Sequence, residues 1–172
     1  MGEYLMNEQL LKDTEKLLKT AIKGEVDGYT FYNLMAQESK HPEAKRRLES
    51  LRDDEKRHKA ILLDLYKKHV GGEVGELPEH GLGALASVFE KGKLKDIKTE
   101  MEYINLAIEA ELAATKFYAE GAEKIDDPVM KGILENLSDE ENSHYDILMA
   151  EKQALGGNYY WFSTGEGAPL ED

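Results

Sequence analysis

Glutamate and histidine stand three residues apart twice in this chain, as Glu55-Lys56-Arg57-His58 and again as Glu141-Asn142-Ser143-His144. Positions three apart share one face of an α-helix, so the carboxylate and imidazole of each pair can grip one metal ion together. A single pair of this kind usually decorates a solvated surface. Its repetition is the informative feature, because each copy sits in a long helical pattern that a Glu-bearing helix precedes. A carboxylate-rich set with one imidazole per ion suits iron or manganese better than copper, and zinc also binds such groups. The chain has no cysteine, which excludes thiolate sites, iron–sulfur clusters, disulfides and a thiol nucleophile within it.

The elements that must carry these residues are helices. The chain has 172 residues, 41% of them apolar and 33% charged, with 4 prolines, a composition that favours one all-helical domain. A first helical pattern runs from about Asn7, read as its cap, to about Ser39, with Leu10, Leu11, Leu18, Ile22, Tyr29, Tyr32 and Met35 on its apolar stripe. Glu25 falls inside that stripe. Pro42 opens a second helix that Gly71-Gly72 ends, and within its stripe Glu55 and His58 take places where leucine is expected. A third helix spans about 96–124 and a fourth about 128–155. Between the two pairs lies a connection over about 73–95, long enough to run the length of a bundle, with an apolar piece from Leu82 to Phe89 that reads as a short crossover helix. Residues 1–172 therefore read as a single domain: hairpin 1 over about 7–72, the crossover, hairpin 2 over about 96–157, and a tail over 158–172 that carries Tyr159, Tyr160, Trp161 and Phe162.

The two hairpins are copies. Residues 21–66 align without a gap on 107–152, and 16 of the 46 pairs are identical, among them Glu25/Glu111, Tyr32/Tyr118, Pro42/Pro128, Glu55/Glu141 and His58/His144. Two copies of a helical hairpin make a four-helix bundle with a pseudo-twofold axis. The alignment also selects Glu111 over Glu109 as the counterpart of Glu25. Turn positions near residues 41 and 127 set Glu25 opposite the Glu55/His58 level and Glu111 opposite the Glu141/His144 level, about midway along helices roughly 45 Å long at 1.5 Å per residue.

Six ligand-type side chains at one level of a core need a reason. A buried carboxylate is costly unless it is paired or metal-bound. Only Glu55 has basic residues at helical spacing, Arg52 and Lys59, so two divalent cations are the simplest neutralisation of Glu25, Glu55, Glu111 and Glu141. Tyr32 and Tyr118 lie two turns beyond Glu25 and Glu111 on the same faces, where each reads either as a core aromatic with its hydroxyl at the rim or as a hydrogen-bond donor to a ligand carboxylate. Asp54 and Glu140 precede the paired glutamates and read either as surface charge or as acids that orient His144 and His58 across the bundle, as acids commonly do for metal-bound imidazoles.

The pattern of Glu25, Glu55-x-x-His58, Glu111 and Glu141-x-x-His144 on four helices resembles the ferritin-like di-iron carboxylate proteins, and within them the rubrerythrin branch, over about 150 residues. The resemblance implies that Glu55 and Glu141 bridge two iron ions, while Glu25 with His58 and Glu111 with His144 each cap one. Two departures stand out. Rubrerythrins carry one more carboxylate on the third helix, a turn beyond Glu111, where this chain has Ala114. They also carry a rubredoxin domain held by cysteines, so here electrons are expected from a separate, rubredoxin-like donor protein.

Two iron(II) ions supply two electrons to an oxygen–oxygen bond, which points to reduction of hydrogen peroxide or dioxygen. The other readings are a non-enzymatic iron-binding or buffering protein and a di-manganese catalase-like enzyme. A net charge of -13 argues against nucleic acid as a partner. No apolar run approaches a membrane span, and Met1 to Gln9 lacks the regions of a signal peptide, so a cytoplasmic protein is expected. A homodimer or higher homo-oligomer is the expected assembly.

Overall fold

The computed structural model describes residues 2–79, 81–83, 85, 86 and 99–155, the first seven of these as backbone. Helix α1 spans Gly2–Glu38, α2 Pro42–His69, α3 Glu100–Glu123 and α4 Pro128–Leu155. These form the all-α, ferritin-like bundle of two antiparallel hairpins expected from the sequence: α1 packs along α2 and α3 along α4, with lighter contacts joining α1 to α3 and α2 to α4. Residues 83, 85 and 86 of the crossover are helical, whereas 87–89 of the expected short helix and the aromatic tail lie outside the described residues. Among the described residues, no helix is long and apolar enough to cross a membrane.

Local chemistry sets the helix ends. His41, held extended at φ -84° and ψ 118° before Pro42, starts α2 without a side-chain cap. At the other end, the Val70 and Gly71 N–H groups both donate to the Tyr66 carbonyl, and Gly71 adopts φ 86°, a value glycine tolerates and other residues resist. Thr99 and Glu102 form a capping box at the start of α3. The Asp127 carboxylate accepts the Met130 N–H, 2.8 Å away, at the start of α4.

Helix α1 differs from its expected course. It continues past Asn7 back to Gly2, because nothing between Glu3 and Met6 breaks a helix, and Asn7 is therefore an interior residue. Leu10, Leu11 and Tyr29 lie on the outer side of the helix and are exposed, while Phe31 is fully buried. The buried stripe is thus turned towards the neighbouring hairpin, with Phe31 against Tyr32 and Tyr103.

The apolar core falls into two clusters along the bundle. One gathers Phe31, Met35, Leu48, Leu51, Ile104 and Leu148; the other gathers Leu18, Ile22, Leu62, Leu65, Met130 and Leu134. Each such side chain contributes about 1.5–3 kcal/mol on burial. Between the clusters the interior is polar, and that level holds the six candidate ligands.

Candidate metal centre

All six side chains meet in the interior. Glu25, Glu55, Glu111 and Glu141 are 2%, 4%, 3% and 1% exposed, His58 is fully buried and His144 nearly so. The twofold repeat explains the convergence, since α1 and α3 each deliver one glutamate while α2 and α4 each deliver a glutamate and a histidine one turn apart. His58 Nδ1 lies 2.9 Å from Glu141 Oε1 and 3.5 Å from Glu25 Oε2. His144 Nδ1 lies 3.1 Å from Glu141 Oε2 and 3.7 Å from both Glu55 Oε1 and Glu111 Oε1. The imidazoles are nearly parallel, with ring centres 5.7 Å apart.

These atoms form two overlapping sets, Glu25, Glu55, His58 and Glu141 on one side and Glu55, Glu111, Glu141 and His144 on the other, with the ligand atoms of each set within 4.8 Å of one another. Glu55 and Glu141 belong to both. That sharing is what a pair of neighbouring cations requires of bridging carboxylates.

The donors fit a cation on a further ground. Glu25 Oε2, His58 Nδ1 and Glu141 Oε1 are buried without hydrogen-bond partners. His58 Nδ1 and Glu141 Oε1 are 2.9 Å apart, but not aligned as a hydrogen bond. Unpartnered buried acceptors cost on the order of 1–3 kcal/mol each, and a shared positive charge removes that cost.

Outer partners fix how the ligands are held. The Tyr32 hydroxyl donates to Glu111 and the Tyr118 hydroxyl to Glu25, so each tyrosine secures the glutamate of the opposite hairpin. Burial first, then the adjacent carboxylate, raises both phenols well above their ordinary range, so they stay protonated donors. Across α2 and α4, His58 Nε2 stands 2.8 Å from Glu140 and His144 Nε2 stands 3.4 Å from Asp54. With a cation bound, an Nε2–H donated outward to these carboxylates would leave the Nδ1 lone pair to the ion, the tautomer a metal ligand needs.

Sequence reasoning missed Arg57, read as a spacer within Glu55-x-x-His58. Its guanidinium bonds both Glu140 and Asp54, and this contact, more than any other, lowers the Glu140 pKa. Its repeat counterpart is Ser143, so the clamp is one-sided; the antiparallel pairing of α2 with α4 was the available signal. Arg52, one of the two basic residues at helical spacing from Glu55, bonds Asp53 instead. Because Glu140 acts through His58, Glu140→Gln should weaken cobalt(II) binding by about 10–100-fold without changing the number of ions bound. Competitive chelator titration measures both quantities; an unchanged affinity would show that Glu140 does not orient the imidazole.

With no cation present, protons occupy the site. Burial opposes the charged imidazole, but Glu141 and Glu25 outweigh it and push the His58 pKa up to about 11; Glu111 and Glu141 likewise push His144 up to about 10. Burial and then Glu141 raise Glu111 to about 8 and raise Glu55 well above the carboxylate range. Burial also opposes ionisation of Glu141, yet the adjacent His144 and His58 imidazoles prevail and hold it below its ordinary value. Without metal, the balance favours the protonated imidazoles of His58 and His144 and opposes ionisation of Glu55 and Glu111.

Comparison with known proteins agrees with this geometry. A family model described as Rubrerythrin matches residues 16–152. A solved hypothetical protein from Pyrococcus furiosus is 31% identical and superposes with a TM-score of 0.73 over 86% of this chain and 93% of its own. The solved structure of CopM in the Cu(I)-bound form shares the fold at 13% identity, with a TM-score of 0.66 over 83% of this chain and 96% of its own. No curated protein matches the chain. Family match, bundle and buried carboxylate–histidine cluster coincide, and the chain belongs to the rubrerythrin family.

Proposed function

We propose that this protein is a di-iron oxidoreductase that reduces hydrogen peroxide or dioxygen, with Glu25, Glu55, His58, Glu111, Glu141 and His144 as the metal ligands. The observation that carries this reading is the pair of overlapping donor sets sharing Glu55 and Glu141. One imidazole with several carboxylates per ion suits iron, with manganese or zinc as competitors. A bound iron(II) pair would supply two electrons, one from each ion, to an oxygen–oxygen bond.

The chain's own residues perform the remaining tasks. Tyr32 and Tyr118 hold Glu111 and Glu25 by hydroxyl hydrogen bonds and restrict their rotation. Asp54 and Glu140 fix the imidazole tautomers. The two apolar clusters above and below the site keep bulk water away, which strengthens every electrostatic contact within it. Re-reduction falls to a separate rubredoxin-like donor protein, and we place the reaction in the cytoplasm of a homo-oligomeric enzyme.

Anaerobic loading with iron(II) followed by stopped-flow addition of peroxide tests this function. The expected result is rapid development of a ferric absorption band and sustained peroxide consumption when a reduced rubredoxin is supplied. Slow oxidation without turnover would instead identify an iron-buffering protein. Oxygen release from peroxide by the manganese-loaded form alone would identify a catalase.

A further inference from the structure

The two sides of the carboxylate site are built differently. On the α2/α4 side, the stacked imidazoles with Arg57, Asp54 and Glu140 outside them close the approach. On the α1/α3 side, the walls are Gly24 and Gly28 facing Ala110 and Ala114, and they line a half-open cavity of about 30 Å³ floored by Glu25, Glu55, Glu111 and Glu141. Two of those floor residues, Glu25 and Glu141, present the unpartnered buried oxygens. The volume suits about one or two water-sized molecules, hence hydrogen peroxide or dioxygen.

The roof of this cavity is Leu82 and Leu85 of the crossover. Consecutive crossover residues seat on both walls. A Cβ on Gly81 would collide with the Asp27 carboxylate, and one on Gly24 would lie 2.7 Å from Leu82 Cδ1. Gly83, at φ +57°, brings its backbone so close to α3 that a Cβ there would lie 2.6 Å from Ala113 Cβ. Small residues on α1 and α3 thus admit the crossover to the groove, and two leucines cover the floor.

We infer that Leu82 and Leu85 are specificity-determining residues that set the size of the oxidant admitted to the carboxylates from the α1/α3 side. This rests on the peroxide-reducing function proposed above. Hydrogen peroxide, with two electrons and two protons, has its oxygen–oxygen bond cleaved to two waters. An alkyl hydroperoxide would give an alcohol and one water from the same supply, with the electrons coming from the iron(II) pair and restored by an external one-electron donor. Its alkyl group meets the leucine roof, so the roof discriminates against it.

The iron-loaded full chain is compared with Leu82→Ala and Leu82→Trp, because Leu82 is partly exposed and tolerates replacement better than buried Leu85. Leu82→Ala should raise the kcat/KM ratio of tert-butyl hydroperoxide to hydrogen peroxide by about tenfold or more, and Leu82→Trp should lower it. The rate of azide binding to the ferric protein, which requires no turnover, should rise in the first variant and fall in the second. Azide rates and substrate ratios unchanged in both variants would overturn the assignment. Altered azide rates in a protein that turns over neither peroxide would uphold the access route and refute the oxidant reading instead.

Discussion

Glu55→Gln should abolish binding of both cations while leaving the metal-free protein at least as stable as the natural chain. The two effects have one cause. Glu55 belongs to both donor sets, so a neutral amide in its place removes a negative charge from each. Without metal, burial and the neighbouring Glu141 and Glu25 already force Glu55 to carry a proton, and glutamine reproduces that neutral form with nearly the same shape. An ordinary structural glutamate would behave in the opposite way, since losing it would lower stability and leave metal binding untouched. Calorimetric melting of the metal-free variant with cobalt(II) titration separates the two cases. A lower melting temperature with full cobalt binding would place Glu55 in the scaffold rather than the site.

The second large effect is on pH. Loading the site at pH 7 should release about four protons, from His58, His144, Glu55 and Glu111, in exchange for two divalent cations bearing the same total charge. All four groups have raised pKa values, to about 11, 10 and 8 for His58, His144 and Glu111. Protons therefore compete with metal more strongly as pH falls, and affinity should drop by about a hundredfold per ion for each pH unit from 7 to 6. The metal-free fold responds in the other direction. A group with a raised folded-state pKa contributes stability fully below its unfolded value, 4.5 for glutamate and 6.5 for histidine, and loses it as pH rises through the folded value. The melting temperature of the metal-free protein should decline from acid to alkaline pH while the gain on adding metal widens. Calorimetry in buffers of different ionisation enthalpy counts the released protons. Release of fewer than about two, or affinity flat with pH, would mean that the cluster does not exchange protons for cations.

Both effects arise from residues whose clustering was legible in the sequence, for a physical reason. Burying four glutamates among leucines leaves a strong pattern, because carboxylates in the stripes of four helices violate the apolar periodicity at equivalent positions of two repeats. Proline and paired glycines likewise fix the ends of α2, since their backbone restrictions act locally. What was not legible depends on the angles between helices. Tyr32 and Tyr118 were placed near ligand carboxylates by spacing, but only the antiparallel packing of α1 on α3 shows that each serves the other hairpin's glutamate. Arg57 gave no signal along its own helix, because its partners Asp54 and Glu140 combine one turn of α2 with a residue of α4. Leu10, Leu11 and Tyr29 fit the helical period yet face outward, since periodicity gives the spacing of a stripe and not its width.

The central claim is a pair of cations held by Glu25, Glu55, His58, Glu111, Glu141 and His144. Crystals of the iron-loaded protein, measured on both sides of the iron absorption edge, test it directly. Two anomalous peaks should appear between the helices, one beside Nδ1 of His58 and one beside Nδ1 of His144, both in contact with Glu55 and Glu141. A single peak, or iron bound only at the acidic surface, would contradict it.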